Sequence, residues 1–166
     1  MSLDNITVAV RARPLLTSES KFIPWVIENN SIQQIDEDKV LIGETYVYDE
    51  IFDVNKKNED IYNTTIAPMV RSAIEGINLT VFAYGATSSG KTYTMNGTRR
   101  DPGVMPRIIE DIFNQIQMCN QRKFLLRVSY VEIYSEVIND LLDKNNKDLK
   151  IREDFNNCVN YNPTEK

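Results

Sequence analysis

The sequence predicts an α/β fold in which helices pack on a central sheet of mostly parallel or mixed strands. Its 166 residues are 42% hydrophobic and 26% charged, an ordinary globular composition for one domain with a real core. Strand-like and helical patterns alternate along the chain. At residues 79–92 an apolar, strand-like run leads into a glycine-rich loop and then a helical pattern, an arrangement typical of layered α/β sandwiches.

Charge, histidine and cysteine content exclude several functions. A net charge of −5 argues against general binding to nucleic acid or a membrane surface. The sequence has no histidine, which excludes histidine-based acid–base catalysis and histidine metal sites. Cys119 and Cys158 fit neither a zinc site nor a disulfide framework, which favours reduced thiols in a cytosolic protein. No signal peptide or membrane-spanning apolar run is evident, so we expect no membrane partner.

The first third of the chain predicts short strands. Residues 6–11 form an apolar, β-branched run that ends before Pro14. Further strand-like pieces lie around residues 25–27, 31–35 and 46–48, and polar turns separate them.

A helix is predicted next. Asn58 is its expected N-cap, because Glu59 and Asp60 then occupy the first turn. Pro68 is expected to kink the helix and Gly76 to end it. Its apolar stripe near the 3.6-residue period comprises Ile61, Tyr62, Ile66, Met69, Val70, Ala73 and Ile74.

The segment after the predicted strand 79–84 matches the phosphate-binding pattern G-x-x-x-x-G-K-[ST]. Its two glycines let the backbone curl so that successive N–H groups point at the α- and β-phosphates. Lys91 can reach the β- and γ-phosphates, and the Thr92 hydroxyl can ligate Mg²⁺. A glycine-rich turn with an incidental lysine is the alternative, but the preceding strand favours a nucleoside triphosphate site. The predicted loop consists of Gly85, Ala86, Thr87, Ser88, Ser89, Gly90, Lys91 and Thr92.

Beyond this segment, residues 96–103 predict a loop that interrupts the helix opened at Lys91. A second helix resumes with Pro106 near its first position. Residues 124–134 read as a long strand whose alternation changes phase after Tyr130. The expected buried face of the second helix comprises Met105, Ile108, Ile109, Ile112, Phe113 and Ile116.

Several blocks of the sequence resemble the kinesin motor domain. The run from Phe82 to Met95 is similar to its nucleotide-binding signature, and residues 11–14, 48–53 and 131–136 are similar to further blocks in the same order. Ala86 stands where the family usually has Gln, and Ser135, expected in a structural strand, stands where Asn is usual. Residues 125–142 and 149–154 look most like centromere-associated mitotic kinesins.

This resemblance implies a P-loop NTPase of the kinesin type, a three-layer sandwich that binds ATP and Mg²⁺. Arg11, Arg13 and Pro14 would then lie against the adenine and ribose, with Tyr93 on the other side of the base. Thr92 would be the metal ligand. The complete motor would bind microtubules (tubulin), in the cytoplasm and cytoskeleton and, for a mitotic member, at the spindle.

The resemblance also implies an incomplete motor domain over residues 1–166, because the switch I and switch II segments do not occur in the sequence. These carry Ser-Ser-Arg-Ser-His and Asp-Leu-Ala-Gly in kinesins, so no catalytic residue is predicted here and the isolated chain is expected to bind ATP poorly without hydrolysing it. Unpaired backbone along 79–84 would make it weakly folded. The alternatives are a non-catalytic nucleotide-binding or interaction module and, disfavoured by the absence of an arginine-rich lid, a nucleotide kinase.

Overall fold

The structure, a computed structural model, describes residues 6–19, 22–153, 159–160 and 163–164. It divides into two compact units, Met1–Cys119 and Asn120–Lys166. We describe each unit by itself. Both parallel and antiparallel strand pairs occur, together with helices, so the chain is of mixed α/β type.

Two small sheets lie in the first unit. Strands β1 (Ala9–Arg11) and β5 (Glu50–Phe52) pair in parallel. Strands β2 (Trp25–Glu28), β3 (Ser31–Ile35) and β4 (Leu41–Val47) form an antiparallel meander. The predicted strands therefore exist, but the first is shorter than expected and β4 begins five residues earlier than the 46–48 pattern indicated.

The predicted helix has two α-helical parts, α1 (Asn58–Ile61) and α2 (Ala67–Ile74), joined by a π-helical turn over Tyr62–Ile66. The prediction of Asn58 as N-cap is wrong. Lys57 is the N-cap, and its main-chain N–H donates to the Asp60 carboxylate at 2.8 Å. Asn58 is the first helical residue, and it is fully buried.

The end of the helix at Gly76 is confirmed, whereas the kink expected at Pro68 stays a prediction. Pro68 lies in the first turn of α2, just after the π-helical turn, and brings no N–H donor to the helix. Gly76 adopts a φ of 102° and ends the helix. Its N–H donates to Ala73 at 3.0 Å while Ile77 donates to Ser72 at 3.1 Å, which satisfies the last carbonyl groups of the helix.

The core of the first unit forms between this helix and α4 (Val104–Met118). The predicted face of α4 is only partly right. Ile108 and Ile112 pack on the core, whereas Met105, Ile109 and Phe113 are exposed. Val104, which lies outside the predicted face, is 2% exposed. The buried face therefore begins at Val104 and not at Met105. The buried cluster consists of Phe52, Ile61, Tyr62, Ile66, Val70 and Val104.

The segment expected as a strand before the glycine-rich loop is not one. Residues 77–85 join no strand ladder among the residues the structure describes. Leu79 and Val81 pack against the core, but Phe82 and Tyr84 on the other side are 80% and 95% exposed. A strand needs a neighbour for its N–H and C=O groups, and no described strand pairs with this segment.

The second unit is built on a hairpin of β6 (Val131–Tyr134) and β7 (Val137–Asp140), with β8 (Arg152–Glu153) paired to β9 (Val159–Asn160). The predicted strand over 124–134 is therefore confined to its last four residues. Ser135 lies in the hairpin turn and not in a strand, which corrects the expectation for that position. No helix in the described ranges is long and apolar enough to cross a bilayer.

Candidate functional site

The glycine-rich loop runs from Gly85 to the five-residue helix α3 (Lys91–Met95). Gly85 has a φ of 155° and Gly90 a φ of 102°, values that side chains disfavour. A Cβ atom at residue 85 would lie 2.6 Å from the Ser89 Oγ atom, so only glycine fits there. Ser88 also has a positive φ, 64°, an uncommon conformation of the kind that concentrates at binding sites.

Five main-chain donors in this loop have no acceptor within the part of the chain that the structure describes. The N–H groups of Thr87, Ser88, Gly90, Lys91 and Thr92 make no hydrogen bond there, whereas Ser89 N–H donates to Ala86 at 3.2 Å. Backbone that alternates between left- and right-handed conformations turns such N–H groups toward a common concavity that binds anions. The donor set therefore fits a polyphosphate.

The Lys91 ammonium bonds back to the start of the loop. Its Nζ atom donates to the carbonyl groups of Gly85 and Ala86, both at 2.9 Å. An ammonium has three N–H donors, so one remains for a further acceptor. The Thr92 side chain is exposed and makes no hydrogen bond to any described residue, which leaves its hydroxyl free to ligate a cation. The assignment of Lys91 to phosphate and of Thr92 to Mg²⁺ stays a prediction.

Arg11 and Tyr93, both predicted to lie beside the adenine base, contact each other directly. The guanidinium carbon of Arg11 lies 5.0 Å from the centroid of the Tyr93 ring. Groups that stack directly have centres roughly 4.5–7 Å apart, so no room remains for a base between them. The two side chains form one platform, and Tyr93 remains 43% exposed. The predicted arrangement, with the base between Arg11 and Tyr93, is therefore not the one in this structure.

Arg13 points to a neighbouring loop. Its guanidinium makes two hydrogen bonds with the Glu19 carboxylate, at 2.5 and 2.8 Å, and a third with the Pro14 carbonyl at 2.9 Å. The Arg13 hydrogen bond lowers the pKa of Glu19 to about 2. Arg13 is thus held to Pro14 and to Glu19, whereas the platform is built from Arg11 and Tyr93.

The residue that links these parts is one that the sequence did not predict for the site. The Asn58 side chain accepts from Arg11 Nη1 at 2.6 Å and donates to the carbonyl groups of Tyr93 at 3.3 Å and Asp101 at 3.1 Å. The same Arg11 nitrogen donates to Thr94 Oγ1 at 2.9 Å. The only signal in the sequence is a polar residue beside a helix start, which led to the wrong assignment as a cap.

The predicted loop over 96–103 doubles back tightly and packs beside α3. Any Cβ at Gly97 or Gly103 would collide with main-chain atoms of the same loop or of its neighbouring residues. The Asp101 carboxylate accepts from the Tyr93 hydroxyl at 2.8 Å and lies 3.8 Å from Arg107. This hydrogen bond raises the pKa of Tyr93. The loop thereby holds the Tyr93 ring from its outer end.

A separate concavity of about 230 Å³ lies between β1 and the meander. It is lined by Val10, Trp25, Ile32, Tyr46 and Tyr48. It shares no residue with the glycine-rich loop and has no cationic side chain in its lining, so it lacks the chemistry for a triphosphate.

Comparison with known proteins decides the family. The sequence profile of the kinesin motor domain matches residues 11–164. The chain belongs to the kinesin motor domain family. The resemblance in the sequence is thereby confirmed, and so is the α/β fold class. Kinesin motors depend on a nucleotide.

Similar kinesins come from plants and animals. The chain is 44% identical over 154 residues to kinesin-like protein KIN-7D, mitochondrial, of Arabidopsis thaliana, covering 91% of this chain and 14% of that protein. It is 45% identical over 161 residues to centromere-associated protein E of Homo sapiens, covering 93% of this chain and 6% of that protein. The chain therefore spans a small part of these relatives' length.

A solved kinesin structure shows the same fold. That structure, described as "Structure of a fast kinesin: Implications for ATPase mechanism and interactions with microtubules", matches with a TM-score of 0.88 and 35% sequence identity. The match covers 97% of this chain and 48% of the solved chain. This kinesin chain thus corresponds to about half of that motor structure.

Proposed function

We propose that this chain binds ATP with Mg²⁺ through residues 85–92, as the nucleotide-binding part of a kinesin motor. The observation that carries the proposal is the group of uncommitted N–H donors around the loop, closed by the Lys91 ammonium. A phosphate oxygen attracts an ammonium more strongly than a neutral carbonyl does, because both partners are then charged. Lys91 would therefore exchange a carbonyl partner for the β- or γ-phosphate.

Mg²⁺ would neutralise phosphate charge when bound, and the Thr92 hydroxyl is the side chain placed to hold it. Tyr93, backed by Arg11, would offer its open face to the adenine, and Arg13 with Pro14 would lie on the adenine and ribose side. The flat faces of Tyr and Pro suit stacking on a base. The isolated 166 residues would bind without hydrolysis, since no residue in this chain is assigned to position the attacking water.

The complete motor would couple ATP hydrolysis to movement along microtubules, with a place in the cytoskeleton. Family membership supports this part of the proposal, and so does the similarity to a kinesin whose structure was interpreted in terms of an ATPase mechanism and microtubule interactions. Relatedness to centromere-associated protein E supports a role at the mitotic spindle for the full protein. The second candidate is a non-catalytic nucleotide-binding or interaction module, favoured by the exposed apolar residues Phe82 and Tyr84 before the loop.

The decisive experiment is a titration of the purified chain with a fluorescent ATP analogue in the presence of Mg²⁺. Lys91→Ala is expected to weaken binding about tenfold or more, since a charged hydrogen bond contributes about 1.5–3 kcal/mol. Lys144→Ala, at an exposed lysine in the second unit, is the matched control and should leave affinity unchanged. Equal affinities of the wild-type and Lys91→Ala chains would reject the proposed pocket.

A phosphate-release assay with microtubules separates binding from catalysis. We expect no microtubule-stimulated release from the 166-residue chain. Stimulated release together with cooperative thermal unfolding would show that these residues hydrolyse ATP unaided, contrary to the proposal.

A further inference from the structure

We propose that Asn58 is a positioning residue for the nucleobase end of the site, an inference that rests on the proposed ATP binding. Asn58 is fully buried and lies at the start of α1, away from the glycine-rich loop in sequence. Its side-chain amide bonds to three separate parts of the molecule: strand β1, helix α3 and the loop over 96–103.

Each contact of this amide constrains the Tyr93 platform. The amide oxygen accepts from Arg11 Nη1 at 2.6 Å, and this guanidinium lies over the Tyr93 ring. The amide nitrogen donates to the Tyr93 carbonyl, which holds the main chain of the same residue. Its second donor reaches the Asp101 carbonyl, and the Asp101 carboxylate accepts from the Tyr93 hydroxyl. The ring is therefore fixed at its face, its backbone and its outer end through one buried residue.

Such fixing matters for binding because an ordered platform loses less conformational freedom when a ligand stacks on it. Without the Asn58 amide, the Arg11 guanidinium would keep Thr94 as a side-chain partner but lose its shorter hydrogen bond. Both carbonyl groups at Tyr93 and Asp101 would lose a donor. The phosphate end would keep its own contacts, since Lys91 bonds to Gly85 and Ala86.

A purely structural role for Asn58 makes a different prediction. General loosening of the first unit would weaken every ligand equally, including one that touches only the phosphate loop. A positioning role predicts loss for ligands with a base and none for a bare polyphosphate. The two roles are therefore separated by comparing ATP with inorganic tripolyphosphate.

The experiment measures the affinity of the 166-residue chain for both ligands by competition with a fluorescent ATP analogue. Asn58→Ala is expected to weaken ATP about tenfold, the effect of having to order one or two side chains on binding, while tripolyphosphate changes less than about twofold. Asn114→Ala, at an exposed asparagine of α4, is the control and should change neither affinity. Parallel loss of both ligands in Asn58→Ala would overturn the positioning role.

Thr94→Val provides a second, milder variant if Asn58→Ala does not unfold cooperatively. It removes the other side-chain acceptor of Arg11 without emptying a buried position. A severalfold loss of ATP affinity with unchanged tripolyphosphate affinity would support the inference, and an unchanged or parallel response would overturn it. A wild-type chain that binds neither ligand would instead reject the proposed function, and this inference with it.

Discussion

The Nζ atom of Lys91 lies 2.9 Å from the carbonyl oxygen of Gly85, so the lysine reaches back over the loop to its first residue. The loop can close in this way because Gly85 adopts a φ of 155° and carries no side chain. Its nearest side-chain neighbour would be Ser89, whose Oγ atom lies 2.6 Å from the position a Cβ would take. The shape of the glycine-rich loop therefore depends on a glycine at position 85.

Replacing this glycine is expected to weaken nucleotide binding. Gly85→Ala forces either the backbone or Ser89 to move, at a strain of about 1–3 kcal/mol, and displaces the carbonyl that Lys91 contacts. We expect a loss of ATP affinity of about tenfold or more, measured by fluorescent-nucleotide titration. Gly43→Ala is the control, because Gly43 also has a positive φ, 71°, but no neighbour within 4 Å and no place in the loop. A normal affinity in Gly85→Ala would contradict this account of the loop.

The buried hydroxyl of Tyr62 is expected to stabilise the packing of the helix on α4. It donates to the Asp111 carboxylate at 2.6 Å. Tyr62→Phe should lower the free energy of unfolding by about 1–3 kcal/mol, because the donor to a charged acceptor is lost. Urea unfolding at neutral pH measures this change. Tyr134→Phe, at a tyrosine that is 74% exposed, should have little effect and serves as control.

The same hydroxyl predicts a response to alkali. Burial, reinforced by the hydrogen bond to Asp111, raises the pKa of Tyr62 above its ordinary value. The folded pKa is higher than the unfolded one, so this stabilisation is complete below about pH 10 and declines as the pH rises further. Ultraviolet absorbance titration of the folded chain should show a late-ionising component that belongs to Tyr62. Its disappearance from the Tyr62→Phe curve would assign it, and an unchanged curve would contradict the assignment.

Features encoded in a few consecutive residues could be predicted from the sequence. The phosphate loop follows from two glycines, a lysine and a threonine at fixed spacing, and the end of α2 follows from Gly76. The strands predicted at 79–84 and 124–130 are wrong, because a strand also needs pairing partners, and these are distant in the chain. A local pattern of apolar residues does not show whether a segment has a strand to pair with.

The contact between Arg11 and Tyr93 was harder to predict for a related reason. The sequence placed Arg11 and Tyr93 there only through family resemblance, and their direct contact depends on Asn58, which lies 47 residues after Arg11. A single polar residue such as Asn58 forms no periodic pattern in the sequence from which its role could be predicted. Its role is set by which elements fold against it, and that is a property of the tertiary structure.

The turn of the β6–β7 hairpin predicts a stabilising substitution. Ser135 and Glu136 both have positive φ, 47° and 66°, as a two-residue type I′ turn requires. Glu136→Gly should raise the free energy of unfolding by about 0.5–1 kcal/mol, because glycine adopts this conformation without strain. Glu132→Gly, the same change within β6, should destabilise the protein instead. Thermal unfolding of both variants checks this pair, and a lower melting temperature for Glu136→Gly would contradict the turn assignment.

The buried carboxylate of Asp140 is expected to make the second unit sensitive to acid. Asp140 is 3% exposed and accepts from the main-chain N–H of Thr164 at 2.6 Å and of Leu142 at 2.8 Å. These hydrogen bonds, that of Thr164 foremost, lower the pKa of Asp140 well below its ordinary value. The folded pKa is lower than the unfolded value of about 3.9, so the stabilisation is complete above that pH and declines as the pH falls toward the folded pKa.

Asp140→Asn tests this expectation. The amide oxygen accepts like one carboxylate oxygen, but the amide nitrogen cannot accept, so Thr164 or Leu142 loses its acceptor. The variant should be less stable than wild type at neutral pH and should lose less further stability between about pH 5 and pH 2. Asp148→Asn, at an exposed aspartate, should retain the acid response of the wild type. Urea unfolding across this pH range measures both variants, and parallel curves for wild type and Asp140→Asn would show that another group controls acid unfolding.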